Sequence, residues 1–385
     1  MKIAIVTFSI AYLFIFNVPS TFKSDNINST FNPDSSVTIT ITVVGDLMCH
    51  GPQFEFARVG KDSFNFNPVY RNVRKYLVSA DFTFANLETV ISGKKNRGYT
   101  GYPFFNSPDE YLDALKNAGF DLLVTANNHA FDRSETGVIK TIDEISKRNM
   151  NYTGTFISHE DRDSIRIFDI HGIKIAFLAY SYGTNGNPVP SGKNYLINLI
   201  DYNLIAKDIN SAKSKNPDLI LVNFHFGEEY QREPGQFQKE VVSKTANLGA
   251  DIIIGGHPHV LQPIDFFKTV NSRLDTGLIA YSMGNFISNQ QERFKDAGAI
   301  LSIKLKKFIF KDRIRIEEIN FLPTWVFKGN TSSGKEYVIL SSINSEDSTL
   351  NLNKAEIIRM NQAFDDTRKT LTKYTNNLKL KEKTE

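Results

Sequence analysis

The sequence predicts an α/β protein, and three observations carry that expectation. Short apolar runs at 37–44, 82–86, 122–125, 219–224, 251–254 and 277–283 read as strands. Stretches with helical apolar spacing lie between them, at 69–78, 108–118, 134–148, 201–215 and 236–248. Most strand runs stop at a glycine- or asparagine-bearing break that carries a carboxylate, a carboxamide or an imidazole. Strand ends are where α/β proteins build their sites.

The clearest break follows 251–254. The glycine pair Gly255-Gly256 closes the apolar run, and His257 and His259 arrive two residues apart. Pro258 biases His257 towards an extended backbone, in which i and i+2 side chains share a face. Two imidazoles side by side at a strand end suit metal ligation. For an isolated pair, exposed loop histidines would be the better reading; here other strand ends supply partners.

In chain order, Lys2 and the apolar run 3–18 read as the start of an export signal. The run falls short of the roughly 20 residues of a relaxed transmembrane helix. Residues 1–20 are thus expected to be a signal peptide or a signal anchor, and either places the body outside the cytoplasm. Residues 21–36, rich in Ser, Asn and Thr, read as a linker. The strand 37–44 ends at Gly45-Asp46, with His50 shortly after; the strand 82–86 ends at Leu87-Glu88. A helix at 108–118 has Gly119 as its stop. The strand 122–125 runs into Asn127-Asn128-His129-Ala130-Phe131-Asp132, where Asn128 can offer a carbonyl oxygen to an ion and His129 can face a substrate. Runs 164–170 and 173–180 flank His171-Gly172 as a hairpin, so His171 reads as a turn residue; His159 lies in a charged loop. Residues 182–195 form a loop long enough to overhang a site. The strand 219–224 ends at His225-Phe226-Gly227-Glu228-Glu229-Tyr230, and 277–283 ends at Gly284-Asn285-Phe286. Segments 299–306, 308–311 and 313–320 read as antiparallel strands, and 353–378 as a terminal amphipathic helix.

Composition narrows the function. At 385 residues and 41% hydrophobic, the chain can bury a large core, and its single cysteine, Cys49, excludes an intramolecular disulfide. A net charge of +3, with no basic run interleaved with aromatics, argues against a nucleic-acid partner. Five of the seven histidines, His50, His129, His225, His257 and His259, fall in or beside strand-end breaks. With Asp46, Glu88 and Asn128 they make a mixed N/O donor set suited to Mn, Fe or Zn. Such a set can converge only if the strands lie side by side, and a two-metal hydrolytic site then follows.

Six motifs in order, Gly45-Asp46-Leu47-Met48, Asn86-Leu87-Glu88, Asn127 to Asp132, His225 to Tyr230, Gly256 to Gln262 and Tyr281 to Phe286, resemble the CapA-type poly-gamma-glutamate capsule biosynthesis family of the calcineurin-like metallophosphoesterase superfamily. The resemblance runs from about 37 to about 289. It implies a four-layer αββα sandwich over 37–330, followed by a partly helical C-terminal extension at 331–385. It implies that Asp46 and His259 hold a first divalent ion and Asn128, His225 and His257 a second, with Glu88 bridging. His129 would be the general acid or phosphate contact, oriented by Asp132. His50, Glu229, Tyr230 and Asn285 would lie on the substrate side, with Asn285 bracing a loop. The superfamily's histidine two residues after the aspartate is Met48 here, and its Gly-Asp at the bridging carboxylate is replaced by Asn86-Leu87-Glu88. The implied role is synthesis, assembly or release of an extracellular anionic polymer, with membrane polymer-synthesis proteins as partners. A secreted phosphoesterase acting on another phosphoester and a non-enzymatic scaffold are the alternatives.

Overall fold

Two large sheets organise the computed structural model, which describes residues 35–343, 347–375 and 380–382. The first has eight strands, in the order Gly334–Ser341, Arg313–Thr331, Ala297–Phe308, Ser36–Val43, Phe82–Asn86, Leu122–Val124 and Asn151–Thr153, with Leu380–Glu382 also paired to Arg313–Thr331. The second has six, in the order Ile264–Lys268, Thr276–Ala280, Ile252–Gly256, Leu219–His225, Ile173–Ser181 and Arg166–Ile170. The strands from Ser36–Val43 to Asn151–Thr153 are mutually parallel, as are the four central strands of the second sheet. Parallel pairing puts the carboxyl ends of each set on one side. A short parallel pair, Asn285–Ile287 with Asp46–Leu47, sits at that end.

The apolar runs are nearly continuous because both faces of each sheet are covered. Ile39, Ile41 and Val43 of one sheet share a core with Leu219, Leu221, Ile252 and Ile254 of the other, so the sheets pack face to face. On the outer face of the first, Leu123 and Ala85 meet Tyr111, Leu112 and Leu115 of the helix Glu110–Ala118. On the outer face of the second, Ile220, Val222 and Ile253 meet Ile205 and Ile209 of Tyr202–Ser214 and Val241 and Val242 of Gln236–Leu248. Helices, sheet, sheet, helices: the expected four-layer αββα arrangement is present.

Several local expectations differ from the structure. The segment 69–78 is two short helices, Asn67–Tyr70 and Arg74–Leu77. The strand expected at 308–311 is the turn between two longer strands, Ala297–Phe308 and Arg313–Thr331. The terminal helix is Lys354–Leu371, capped by Asn353, whose carboxamide accepts from the backbone N–H of Ala355 and Glu356. Residue 330 lies in a strand whose hairpin partner, Gly334–Ser341, completes the first sheet, so chain beyond 330 takes part in that sheet. Met360, Ala363 and Phe364 of the helix pack on Trp325 and Phe327. The expected signal and most of the linker lie outside the described residues. Among the described residues no helix is long and apolar enough to cross a membrane.

Candidate metal centre

The carboxyl ends of the parallel strands deliver buried donors to one place. Asp46 follows Ser36–Val43, Glu88 follows Phe82–Asn86, Asn128 follows Leu122–Val124, His225 ends its own strand, and His257 follows Ile252–Gly256. All five are buried, as is His259. Three candidate ligand sets arise, with donor atoms within 4.8 Å of one another: Glu88, His225 and His257; Asp46, Glu88 and His259; Glu229, His257 and His259. Glu88 belongs to the first two, the position of a bridging carboxylate. Asn128 joins the first through Oδ1, 2.9 Å from His225 Nε2.

The histidine pair is built differently from the expectation that Pro258 would hold His257 extended. His257 has φ +97° and His259 φ +57°. Side chains with a Cβ rarely adopt such values, at a cost on the order of 1–3 kcal/mol each, and they persist where the surroundings over-determine them. Here the backbone N–H of His257 donates to Asp46 Oδ2 at 3.2 Å, and Pro258 O accepts from Tyr230 N at 2.8 Å. The turned backbone separates the rings to 6.0 Å. His257 alone joins the set of Glu88 and His225, His259 alone that of Asp46 and Glu88, and the two share only the set with Glu229.

The donors fit divalent ions. Glu88 Oε1 and His257 Nδ1 are fully enclosed and have no hydrogen-bond partner among the described residues. Enclosed polar atoms without partners are costly and uncommon. A cation would pair both at once, and oxygen and imidazole donors suit Mn, Fe or Zn.

Electrostatics separates the ligands. Burial, with His225 and His259 nearby, pushes His257 down to about 2, and burial pushes His225 down to about 3. Both imidazoles are therefore neutral and ready to ligate. Burial also disfavours a charged His259, but Glu88 and Asp46 outweigh it and raise His259 to about 9. Burial alone would raise Asp46; its hydrogen bond with His259 and the charge of His225 bring it to about 2. Burial and the Asp46 charge raise Glu88 well above the usual carboxylate range. Without an ion, the His259–Glu88 side thus keeps a proton at neutral pH. Ion binding must displace it, so we expect Mn²⁺ uptake at pH 7 to release about one proton, and apparent affinity to rise as pH approaches 9. Calorimetry in buffers of different ionisation enthalpy reads this directly; buffer-independent heats would contradict it.

Beside the ligands, His129 Nδ1 lies 2.7 Å from Asp132 Oδ2, which also accepts from the backbone N–H of Phe105 at 2.7 Å. Asp132 is thereby fixed as an acceptor and His129 Nδ1 as the donor. Nε2 lies 3.5 Å from Asn185 Nδ2.

The four remaining expected residues differ in placement. Asn285 is fully enclosed; its Oδ1 lies 3.1 Å from His259 Nδ1 and its amide donates to Gln290 and to Lys295 O. It braces His259 and offers no free polar atom to a substrate. His50 is a helix cap, with Nδ1 3.1 Å from Gln53 Oε1 and 3.3 Å from Asn289 N, and burial pushes it down to about 4. Glu229 is exposed at the third ligand set. The Tyr230 ring is 6.2 Å from that of His259, with Lys295 over its face at 4.2 Å. Met48 is buried and supplies no ligand.

Two residues take site roles that the sequence did not assign them. Asn86 donates to Asp46 Oδ1 at 2.8 Å and accepts from Asn127 at 3.0 Å, so it ties three strand ends together. Its signals were its place in the Asn86-Leu87-Glu88 motif and a carboxamide at the last position of a buried strand. Tyr182 lies against His257, ring centroids 4.5 Å apart, and nothing in its glycine-rich neighbourhood marked it.

Residues 40–290 match the family model described as bacterial capsule synthesis protein PGA_cap. Capsule biosynthesis protein CapA of Bacillus anthracis is 31% identical over 270 residues, covering 68% of this chain and 63% of that protein. PGA biosynthesis protein CapA of Bacillus subtilis (strain 168) is 29% identical over 276 residues, covering 71% and 69%. The match thus spans less than two thirds of the Bacillus anthracis relative. Among solved structures, the calcineurin-like phosphoesterase YfkN from Bacillus subtilis is similar with a TM-score of 0.41 and 13% identity, over 86% of this chain and 98% of that one.

Proposed function

Because this chain belongs to the bacterial capsule synthesis protein family, we propose that it acts outside the cytoplasm in the synthesis, assembly or release of an anionic polymer, as a metal-dependent hydrolase of phosphoester or related bonds. The observation that carries this reading is the sharing of Glu88 between two buried ligand sets, with the His129–Asp132 pair alongside. Divalent ions held there would supply a polarised water and neutralise charge that develops on the substrate. The protein's own side chains do the rest. Asp132 keeps the Nδ1–H tautomer of His129 and its orientation. His129 Nε2, the nitrogen not engaged by Asp132, is the atom that carries a proton to or from the reacting group. Glu229 and Tyr230 line the approach.

The two ion positions are unequal. Asp46, Glu88 and His259 serve the first, while Glu88, Asn128, His225 and His257 serve the second; Met48 stands where a further donor would complete the first. Elemental analysis after repletion with Mn, Fe and Zn is expected to find metal, with the second position the better filled. Turnover of a generic phosphodiester should follow metal content and vanish on chelation. A protein that takes up none of the three would point instead to a scaffold in a polymer-synthesis complex.

Export rests on Lys2 and the apolar run 3–18. Residues 1–36 fused to a reporter active only outside the cytoplasm are expected to give activity. A silent reporter would remove the extracellular role.

A further inference from the structure

A metal-binding carboxamide must turn its oxygen, not its NH₂, towards the ion, and both faces of Asn128 are nearly the same shape. Something must choose between them. We infer that Tyr182 is a positioning residue that sets the Asn128 amide, and with it the affinity of the second ion position. This assignment rests on reading Asn128 as an ion ligand.

The choice can be followed atom by atom. The Phe105 N–H donates to Asp132 Oδ2, so that oxygen is an acceptor and must receive the proton of His129 Nδ1. An imidazole with its one N–H at Nδ1 has only a lone pair at Nε2. Asn185 therefore turns its NH₂ towards Nε2, at 3.5 Å, and its Oδ1 towards the Tyr182 hydroxyl, at 3.3 Å. The phenol has a single hydrogen, and Asn185 Oδ1 takes it. What the phenol has left for Asn128 is a lone pair. Asn128 must then present its NH₂ to Tyr182, at 3.5 Å, which leaves Oδ1 facing His225 and the ligand cluster. Every donor along this line meets an acceptor, and reversing any one amide sets two donors or two acceptors against each other.

The Tyr182 ring is itself well fixed. It lies on His257 with centroids 4.5 Å apart and nearly parallel to His225, 15° between planes. Its backbone N–H donates to His225 O at 2.9 Å. Asn185 has φ +51° and sits in a turn closed by the N–H of Asn187 donating to Thr184 O at 2.9 Å. The loop that was expected only to overhang the site thus joins an ion ligand to the proton-carrying histidine.

The test is Mn²⁺ titration of the whole purified protein by calorimetry. Tyr182→Phe keeps the ring and removes the hydroxyl. It is expected to weaken the second ion position by about 10–100-fold, the range for losing a partner that orients a ligand. The first position and the thermal midpoint of the metal-free protein should not move, whereas a merely structural role would lower that midpoint. Asn185→Ala should weaken binding in the same direction by a smaller factor. A second background isolates the amide: a carboxylate has no wrong face, so Tyr182→Phe added to Asn128→Asp should lose most of its effect. Wild-type Mn²⁺ affinity in Tyr182→Phe overturns the assignment alone. So does an equal penalty in the Asn128→Asp background. A wild-type protein that binds no Mn²⁺ overturns the metal reading and this assignment together.

Discussion

Replacing His129 by asparagine is expected to leave metal content unchanged and to lower turnover by on the order of 10²–10⁴-fold, the range for losing a general acid or base. His257→Ala should instead remove metal and turnover together. The contrast follows from where the two rings point. His129 spends Nδ1 on Asp132, has Asn185 beside Nε2, and belongs to none of the three ligand sets. His257 has an enclosed Nδ1 without a hydrogen-bond partner and belongs to two of the three ligand sets. Neither change should unfold the protein. His257 already holds φ +97° with a Cβ, so alanine there adds no backbone strain that histidine lacked. It also removes a buried nitrogen that has no hydrogen-bond partner among the described residues. Metal analysis and kinetics on the two variants decide the matter as a pair. Equal metal loss in both would mean that the division of roles is wrong. Normal polymer production in cells carrying either variant would mean that the site is not catalytic there.

How far the fold could be read in advance depended on burial. Runs such as Ile252 to Ile254 are enclosed on both faces and so appear as uninterrupted apolar stretches, which length and flanking glycines identify as strands. Strand ends then mark themselves, because a buried apolar run that stops at Asp46, Glu88 or His225 has few other reasons to stop there. What could not be read was set by tertiary contacts. Pro258 favours an extended His257 locally, yet the contacts of His257 N with Asp46 and of Pro258 O with Tyr230 impose the opposite sign of φ. His50 has the right residue type near the right motif, but its Nδ1 is turned towards Gln53 and Asn289, the second more than two hundred positions away. Tyr182 and Asn86 act through hydrogen bonds to side chains distant in sequence, and neither residue type announces such a role. The segment 308–311, Phe-Ile-Phe-Lys, is apolar enough to read as strand between its neighbours, and an apolar run alone does not reveal where a hairpin turns.

The largest effect on stability is expected at Gly45, where the sequence suggested only a turn before Asp46. A Cβ on Gly45 would lie 2.0 Å from Gly284 O and 2.5 Å from Met283 O, both backbone atoms. Neither can step aside, because the Asp46 N–H donates to Gly284 O at 2.8 Å and the Met283 N–H donates to Gly255 O at 2.9 Å. Gly255 is itself in close passage, its absent Cβ lying 2.0 Å from Tyr281 O. The ends of the two sheets therefore cross backbone against backbone at this point, and the crossing is what brings Asp46 to His257 and His259. Gly45→Ala is expected to cost about 3 kcal/mol or more, as an overpacked site without room to relax does. Gly256→Ala tests the neighbouring step. Its Cβ would meet Asp46 Oδ1 at 2.7 Å, a side-chain atom held by Asn86 rather than a backbone atom. That variant should lose less stability than Gly45→Ala and weaken the first ion position, whose ligand it displaces. Gly51→Ala has open space around the new methyl and should change stability by well under about 1 kcal/mol. Thermal denaturation of the three metal-free variants gives the ordering. A midpoint for Gly45→Ala equal to that of Gly51→Ala would show that the strand ends do not pass as closely as described, and that another feature must deliver Asp46 to the histidines.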